Sequence, residues 1–495
     1  MKPTTELLPS QSRERALFWL VFGLGASLRL VPFFYPMPAD DGLIRLSQSI
    51  EWAHSPEWYG LGGQWPPLMM YFQGMLIRSG MDALWVAYAM GYLISVTTLL
   101  LVFRLSLAIT GSTTVALWSM LACSVYWYHI TMVNTNLIEN FYTAILMAFI
   151  LKVYTTMGKE RIHPLDTVVL FVLMALMLLS RHEARLVWLA SVIYLLYIRD
   201  YRVAWIVAAS GALVTAYLLT ENLLLRGSLL ADLESATQNF LTAMQVKGED
   251  STIMERLMSL RRPIVFQPSI ILLGAILWGV YITIRSVSAR FLALNCGVSL
   301  ALILFSVFAS PLIPFQRYFV PIFAPAMAFA GIGLTAVPFR SAATVLLAAA
   351  ILVQAGQWYH SQSIWVGHRK PMNLLPVRHI HPSQEALQEF VKTLPENARV
   401  YGMINPHAPL NLRQAAINTR RYDLIPRLCL YQNYDQYESK LITIHPNHNT
   451  LSRMDFVAID RNHPESRSAL LTIHHMGCKV VYENNSLIVF QVVRE

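Results

Sequence analysis

Two adjacent carboxylates, Asp40 and Asp41, follow directly after the first long apolar stretch of the chain, residues 16–34. A carboxylate that stands just outside a bilayer costs little to keep charged, because water reaches it. If such a carboxylate points into a cavity between helices, it becomes a chemical group that faces a lipid-borne substrate. The position of this acidic pair therefore raises the question of which side chains accompany it.

Further ionisable residues lie at the ends of later apolar stretches: Glu139, Arg181 with Glu183 and Arg185, and Arg317. A charged side chain at mid-membrane costs about 3 kcal/mol on insertion scales, so each one is a candidate functional residue. The alternative for any one of them is that it faces water or pairs with a neighbour, as Arg181 would with Glu183. Several such residues on one face of a membrane favour a functional site.

The composition identifies the class of protein that carries these residues. The chain has 495 residues, of which 55% are hydrophobic and 14% are charged, whereas a soluble domain has about 25% charged residues. These values predict a polytopic membrane protein. The net charge of +9 does not indicate nucleic-acid binding, because much of the Lys and Arg lies in short loops between apolar runs. No Gly-rich phosphate loop is present, which argues against direct use of ATP or a nucleotide sugar.

The apolar runs predict about eleven transmembrane helices, since a span needs roughly 20 apolar residues and several runs are short for one. The runs cover residues 16–34, 83–103, 115–130, 141–154, 167–179, 186–196, 203–219, 270–284, 291–308, 319–337 and 342–356.

The distribution of basic residues predicts the orientation of these helices. With a cytoplasmic N-terminus, every even-numbered helix leaves the membrane at a short basic loop, as at Arg104 and Arg340, which is what the positive-inside rule requires. The Asp40 loop, residues 35–81, and a second long loop, residues 221–269, are then extracytoplasmic. Residues 44–53 of the first loop have the spacing of an interfacial helix, and residues 68–77 are apolar but too short to span.

The composition changes after residue 357, so we predict a transmembrane domain at 1–357 and a small extracytoplasmic α/β domain at 358–495. Within the second domain the pattern predicts helices at 383–392 and 468–476 and strands at 398–402, 455–460, 479–483 and 487–493, the last two as a hairpin. Cys429 and Cys478 lie in this domain and are either a disulfide or two thiols.

The order of the polar motifs resembles that of the polytopic glycosyltransferases of the GT-C type, mannosyltransferases included, which use dolichyl- or polyprenyl-phosphate sugars. The resemblance extends from about residue 17 to residue 334. It rests on the acidic pair at 39–41, Trp-Pro-Pro-Leu at 65–68, Thr-Asn-Leu-Ile-Glu-Asn-Phe at 135–141, Ser-Arg-His-Glu-Ala at 180–184 and Phe-Gln-Arg-Tyr-Phe-Val-Pro at 315–321.

The resemblance implies transfer of a sugar, with inversion, from a polyprenyl-phosphate donor to an acceptor at the extracytoplasmic face of a multi-pass membrane protein. The acceptor would be a lipid, a glycan or a protein. The resemblance implies Asp40 as the general base that accepts the proton of the acceptor hydroxyl. Asp41 would tune that base or hold an acceptor or a divalent metal. The alternative for Asp40 is a helix cap, and both roles are compatible.

The leaving group in such a reaction is a phosphate, so a cation should receive it. Arg317 is the first choice, since a guanidinium binds phosphate through two hydrogen bonds, and Arg181 is the second. Glu139 would bind the acceptor or a divalent ion, or would only stabilise a helix N-terminus. Glu183, Arg45 and Tyr318 complete the implied substrate-binding set.

Three other functions remain open at the level of sequence. A lipid or glycan transporter or flippase would carry charged residues at mid-span and internal repeats, and neither is clear here. A non-catalytic scaffold would tolerate changes to its acids. A polymerase or ligase of lipid-linked glycans would rely on a large external loop.

Overall fold

The computed structural model describes residues 12–34, 41–56, 67–231, 234, 252–309, 316–338, 340–365, 382–396, 398–403, 415–430, 455–460, 473, 478–483 and 487–492. The side chain of Asp41 and all of Asp40 lie outside this description. The same is true of the helix predicted at 468–476, apart from the helical residue 473.

Most of the described chain is α-helical. The helices are α1 (Ser12–Leu28), α2 (Asp41–His54), α3 (Leu68–Arg78), α4 (Ala83–Thr110), α5 (Thr113–Ser124), α6 (Trp127–Thr131), α7 (Ile138–Thr156), α8 (Pro164–Leu178), α9 (Ala184–Tyr197), α10 (Tyr201–Arg226), α11 (Ile253–Arg261), α12 (Ile270–Thr283), α13 (Val287–Ala309), α14 (Val320–Thr335), α15 (Arg340–Trp365) and α16 (Pro382–Thr393).

The ends of α4 show how the sequence delimits these helices. The side chain of Asp82 accepts a hydrogen bond from the backbone N–H of Trp85, which satisfies one of the donors that every helix leaves free at its start. Gly111 ends α4 at a φ of 68°, a left-handed conformation that glycine adopts without strain. The apolar helix between these caps is long enough to cross a bilayer.

The chain is a multi-pass membrane protein. In the described part, five helices are long and apolar enough to span, or up to seven if two bent helix pairs each count as one span. Four shorter apolar helices, α5, α8, α9 and the 341–356 part of α15, accompany them. The predicted number of eleven requires each bent pair and each shorter helix to cross once, and it stays a prediction.

The third predicted run, residues 115–130, does not form one helix. The helix α5 ends at Ser124, because its hydrogen-bond ladder is diverted on both sides of the break. The carbonyl of Cys123 accepts from Nη2 of Arg29 at 3.2 Å. The N–H of Trp127 donates to Oε1 of Gln354 at 3.0 Å instead. The following segment then turns back, and the short helices at 127–134 meet α7 at 119°.

The two long predicted loops contain helices. Residues 35–81 hold α2, as predicted for 44–53, and α3, which covers the short apolar stretch at 68–77. The helix α10 continues to Arg226, so the second loop begins later than residue 221. The helix α15 continues to Trp365, so the predicted domain boundary at 357 lies inside a helix.

The helix α14 forms the centre of the membrane region. All of its residues from Val320 to Leu334 are buried, and small residues let neighbouring helices approach its backbone closely. A Cβ on Gly331 would lie 2.1 Å from Oγ of Ser119 on α5. A Cβ on Gly333 would lie 2.0 Å from the carbonyl oxygen of Ala275 on α12. This packing fixes the position of the 3₁₀ turn Gln316–Phe319, which immediately precedes α14.

The C-terminal region folds as a five-stranded mixed sheet. Its strands are β1 (Val400–Met403), β2 (Leu428–Leu430), β3 (Phe456–Asp460), β4 (Lys479–Glu483) and β5 (Leu487–Gln491) in the order β2-β1-β3-β5-β4. The strand β1 runs parallel to β2 and β3, and β4 pairs with β5 as the predicted antiparallel hairpin. The sequence did not predict β2. The helix α16 packs on the sheet through Leu387, Phe390 and Val391.

The sheet order excludes a disulfide between Cys429 and Cys478. Cys429 lies on β2, and Cys478 immediately precedes β4, so the two lie at opposite edges of the sheet. Four strand spacings separate these edges, which is about 19 Å, whereas a disulfide requires Cα atoms within about 7 Å.

Candidate functional site

Glu139 lies at the centre of the candidate site, in the first turn of α7. Its side chain is 3% exposed. Its Oε1 is 2.7 Å from Nη1 of Arg181 and 3.6 Å from Nε of Arg317. One carboxylate oxygen therefore contacts two cations from distant parts of the sequence. The motifs that contain Arg181 and Arg317 both meet the motif that contains Glu139.

Arg181 and Glu183 form a second, bidentate ion pair. The Nε of Arg181 donates to Oε2 of Glu183 at 3.0 Å, and Nη2 donates to Oε1 at 2.6 Å. The pairing considered as an alternative for Arg181 is thus present. With Glu139 on its third nitrogen, the Arg181 guanidinium is committed to carboxylates on both of its edges.

The ring of Tyr318 contacts both arginines. Its centroid is 5.3 Å from Cζ of Arg181 and 5.5 Å from Cζ of Arg317. A guanidinium over an aromatic face is attracted by the negative charge of the ring face. Tyr318 therefore helps to stabilise both guanidinium groups.

Electrostatics keep the Arg181–Glu183 pair charged. Burial works against both charged forms, but the carboxylates of Glu183 and Glu139 outweigh it and raise the pKa of Arg181. Burial alone would also raise the pKa of Glu183, but the neighbouring Arg181 lowers it to about 2. The Glu183 side chain remains 42% exposed, so solvent screens its part of the pair.

The helix α2, which begins at Asp41, brings Arg45 to the same place. Arg45 is buried, and its charge acts on the Glu139 carboxylate. A Cβ on Gly42 would lie 1.7 Å from the carbonyl oxygen of Thr135, so the backbone beside Asp41 is pressed against the segment that leads into α7. The side chains of Asp40 and Asp41 lie outside the described residues.

Asn136 fixes this contact between α2 and the 135–141 motif. Its backbone has a φ of 53°, a left-handed conformation that Asn tolerates better than most residues. Its Nδ2 donates to the carbonyl of Gly42 at 2.9 Å. Its Oδ1 accepts from Nε2 of Gln73 on α3. Asn136 belongs to the predicted 135–141 motif, but no role for it or for Gln73 could be predicted, because a single amide side chain forms no recognisable pattern.

The Pro-Pro-Leu motif joins the site through its backbone. The N–H of Leu68, at the start of α3, donates to the carbonyl of Leu179 at 3.2 Å. Leu179 directly precedes the Ser180–Ala184 motif, so the second and fourth motifs are neighbours. Trp65 and Pro66 lie outside the described residues.

Arg29 does not line the site but organises a buried polar cluster in the bundle. It is fully buried, and its Nε donates to Oγ of Ser95 at 2.7 Å. Its Nη2 lies 2.9 Å from Nδ1 of His129. Since a guanidinium only donates, Nδ1 of His129 accepts, and the imidazole is neutral with its proton on Nε2. His129 could not be identified from the sequence, because a single histidine next to aromatic residues forms no recognisable motif.

Three arginines gather in the described part of the site. Arg181 and Arg317 contact Glu139, and Arg45 acts on the same carboxylate. The described residues contain no group of three or more His, Cys, Asp or Glu side chains placed to hold a metal ion.

Comparison with known proteins identifies the fold. No protein-family model matches the chain, and no curated protein matches its sequence. Among solved structures, ArnT from Cupriavidus metallidurans bound to undecaprenyl phosphate superposes with a TM-score of 0.65 at 12% identity, over 97% of this chain and 98% of ArnT. The apo state of ArnT gives 0.65 at 13% identity, over 97% and 99%.

A second solved protein is similar at a lower score. The Archaeoglobus fulgidus oligosaccharyltransferase AglB, in complex with an inhibitory peptide and a dolichol-phosphate, gives a TM-score of 0.55 at 11% identity. The match covers 98% of this chain and 74% of AglB. The predicted resemblance is therefore confirmed at the level of architecture, and the chain has the fold of the GT-C-type glycosyltransferases.

Proposed function

We propose that the protein is an inverting membrane glycosyltransferase that moves a sugar from a polyprenyl-phosphate donor to an acceptor hydroxyl. The observation that carries this proposal is the shared contact of Arg181 and Arg317 with the buried Glu139. It brings three of the five sequence motifs together at one buried carboxylate, and contacts of Gly42 and Leu68 connect the neighbourhood of the other two motifs to them.

The donor's phosphate would bind at Arg317. Arg181 holds both oxygens of Glu183 and one of Glu139, so all three of its nitrogens already contact carboxylates. This commitment of Arg181 supports the assignment of the phosphate to Arg317. Arg45 supplies a further cation for the same anion.

The reaction would proceed by displacement at the anomeric carbon. The acceptor oxygen forms a bond to that carbon while the bond to the phosphate oxygen breaks, and the configuration inverts. The acceptor proton passes to the carboxylate of Asp40, the proposed base. The departing polyprenyl phosphate gains one negative charge, which Arg317 stabilises in the transition state.

Glu139 and Glu183 would act as positioning residues for the arginines. Glu139 contacts both arginines through Oε1, with Arg181 at 2.7 Å, which supports a positioning role. The sheet domain packs on α2 through Leu424 and Ile425, which share one apolar cluster with Leu43 and Leu46. This contact supports a role for the domain in positioning the helix that carries Asp41 and Arg45.

The solved structures with the same fold support the class of donor. One contains undecaprenyl phosphate and the other a dolichol-phosphate. Both ligands are polyprenyl phosphates, which is the leaving group proposed here. The sugar and the acceptor are open, so the test should not depend on either.

Release of the polyprenyl phosphate is the readout that avoids both unknowns. The purified protein would be incubated with a panel of undecaprenyl-phosphate-linked sugars and an extract of membrane lipids and glycans. Mass spectrometry would then quantify free undecaprenyl phosphate. We expect release by the parent protein and a loss of about 100-fold or more in Asp40→Asn, as for removal of a general base. Asp41→Asn should lose less.

A matched control comes from the opposite end of the bundle. Glu160→Gln removes an exposed acid beyond α7 and should retain the parent rate. Retained turnover in Asp40→Asn would refute the base assignment. Absence of release from every donor by a folded protein would refute the glycosyltransferase proposal. Translocation of a fluorescent lipid in proteoliposomes would then point to a flippase.

A further inference from the structure

A basic cleft opens at the end of the bundle away from the candidate site. It has a volume of about 1270 Å³ and lies where the α7–α8 and α9–α10 connections meet the start of α13. The helix α7 joins the two regions, with Glu139 in its first turn and Tyr154 near its last. Its 19 residues span about 28 Å, close to the hydrocarbon thickness of a bilayer. The cleft is therefore at the other membrane surface.

Cations outnumber anions along the cleft. Lys159, Arg161, Arg199 and Arg202 line it, with Glu160 and Asp200 as the only acids among its lining residues. Arg161, Arg199 and Arg202 are exposed, and in the part of the chain that the structure describes none of the three forms an ion pair. The cleft thus presents three guanidinium groups that make no ion pair with any described carboxylate.

Asp200, one of the two acids that line the cleft, accepts hydrogen bonds from the protein backbone. Asp200 accepts from the backbone N–H of Gly158 at 2.9 Å through Oδ2. Its Oδ1 accepts from the N–H of Val203 at 3.3 Å and so caps α10. These bonds tie the two connections together. They leave the charge of Asp200 directed to backbone donors rather than to the arginines.

The turn that carries Arg199 has a fixed conformation. Arg199 adopts a φ of 63°, which is uncommon for a residue other than glycine. The N–H of Arg199 donates to Leu196 and that of Asp200 to Leu195, each at 3.0 Å. This is the Schellman pattern that commonly ends a helix, and here it places Arg199 among the residues that line the cleft.

Apolar and aromatic groups lie beside the charges. Tyr154, Ile198, Tyr201 and Val287 line the cleft. Tyr201 is 56% exposed, and the nearby Trp205 of α10 is 72% exposed. Exposed aromatic residues of this kind mark the headgroup level of a membrane. The cleft therefore combines a basic surface with apolar walls at the depth where lipid headgroups lie.

We propose that this cleft binds the phosphate of an anionic phospholipid headgroup. Guanidinium groups bind phosphate oxygens through paired, charge-assisted hydrogen bonds. Basic pockets between membrane helices are a known setting for anionic headgroups. The positive-inside rule accounts for basic loops but does not require a cleft with apolar walls. An anionic lipid headgroup fits the basic residues, the cleft and the apolar walls together.

Native mass spectrometry can test this with the full-length protein in a neutral detergent. The probes are phosphatidylglycerol, phosphatidylcholine and inorganic phosphate. We expect one phosphatidylglycerol to remain bound at concentrations where phosphatidylcholine and inorganic phosphate do not. The double variant Arg161→Gln, Arg202→Gln should bind phosphatidylglycerol about 30-fold more weakly, the loss expected for two basic side chains at a membrane surface.

Two further variants separate a site from general charge. Arg13→Gln with Arg285→Gln removes the same charge from exposed positions outside the lining of the cleft and should bind like the parent. Arg161→Lys with Arg202→Lys keeps the charge but not the paired donors, so it should bind more weakly than the parent and more tightly than the Gln variant. Equal phosphatidylglycerol binding by the parent and the Arg161→Gln, Arg202→Gln protein would overturn the proposal. Equal binding of phosphatidylcholine, or preferential binding of inorganic phosphate, would do the same.

Discussion

Oε1 of Glu139 lies 2.7 Å from Nη1 of Arg181, and both side chains are almost entirely buried. The contact joins the start of α7 to the connection between α8 and α9. The same Glu139 oxygen also lies 3.6 Å from Nε of Arg317. A buried ion pair is stable only while both partners are present, because removing one leaves a buried charge without compensation. The site is therefore sensitive to the loss of this one acid.

Replacement of Glu139 by Gln should destabilise the protein. The change would leave Arg181 and Arg317 close together without their shared anion. Breaking a buried ion pair by removing one partner costs about 3 kcal/mol or more. We expect a clearly lower midpoint of thermal unfolding in detergent, together with loss of transfer activity.

The neighbouring acid provides the control for this prediction. The Glu183 side chain is 42% exposed against 3% for Glu139, so solvent replaces much of what Glu183→Gln removes. Its cost should be below about 1 kcal/mol, as for exposed ion pairs. Equal destabilisation by the two substitutions would contradict the central position assigned to Glu139.

The close approach of α2 to the segment before α7 predicts an unusual glycine substitution. Alanine is normally better than glycine in a helix by about 1 kcal/mol. At Gly42, however, a Cβ would lie 1.7 Å from the carbonyl oxygen of Thr135, so the helix must move. We expect Gly42→Ala to lower both the unfolding midpoint and the transfer rate, because it displaces α2, and with it Arg45, from Glu139.

Gly23→Ala is the matched control. Gly23 lies in α1, and a Cβ there would meet nothing within 4 Å. This variant should be as stable as the parent or slightly more so. A Gly42→Ala protein with parental stability and activity would show that the contact between α2 and Thr135 is not required.

The sequence predicted the members of the site better than their roles. The acidic start of α7, the Arg181–Glu183 motif and the Arg317–Tyr318 motif could be found, because charged residues beside apolar runs are rare and conspicuous. The pairing of Glu139 with two arginines could not be predicted, since it depends on how α7, the α8–α9 connection and the turn before α14 meet in space. From the sequence, Glu139 could only be given as a ligand of an acceptor or a divalent ion or as an acid at a helix N-terminus; it does lie in the first turn of α7, and the ligand role stays a prediction.

The bend after α5 shows a second limit of sequence reasoning. Residues 115–130 have the hydropathy of one helix, and no Pro or Gly interrupts them. Long-range side chains break the helix instead, with Arg29 on the carbonyl of Cys123 and Gln354 on the N–H of Trp127. Hydropathy indicates burial, but it does not show which backbone groups will form hydrogen bonds with a distant side chain. The strand β2, only three residues long, was missed for a similar reason, because it is defined by its pairing with β1.

The geometry of Arg317 predicts that charge alone is insufficient at this position. A lysine retains the positive charge but not the planar pair of donors that suits a phosphate. We expect Arg317→Lys to lower kcat by about 100-fold, similar to the loss of one donor that stabilises transition-state charge, with Arg317→Gln lower still. Release of undecaprenyl phosphate under saturating donor is the measurement. Arg78→Lys, at the exposed end of α3, should behave like the parent. A parental kcat for Arg317→Lys would exclude bidentate recognition.

The contact of the sheet domain with the membrane region predicts a variant that loosens α2 without touching the site. The hydroxyl of Tyr422 donates to Oδ2 of Asp82 at 3.0 Å and accepts from the N–H of Leu84 at 3.4 Å. Tyr422→Phe removes a hydrogen bond to a charged group, worth about 1.5 kcal/mol. We expect hydrogen exchange in α2 to accelerate about tenfold, with a lower transfer rate, because Leu43 and Leu46 pack against this domain. Lys392→Gln removes an exposed ion pair of α16 and should leave exchange in α2 unchanged. If Tyr422→Phe accelerates exchange only within the sheet domain, the domain does not position α2.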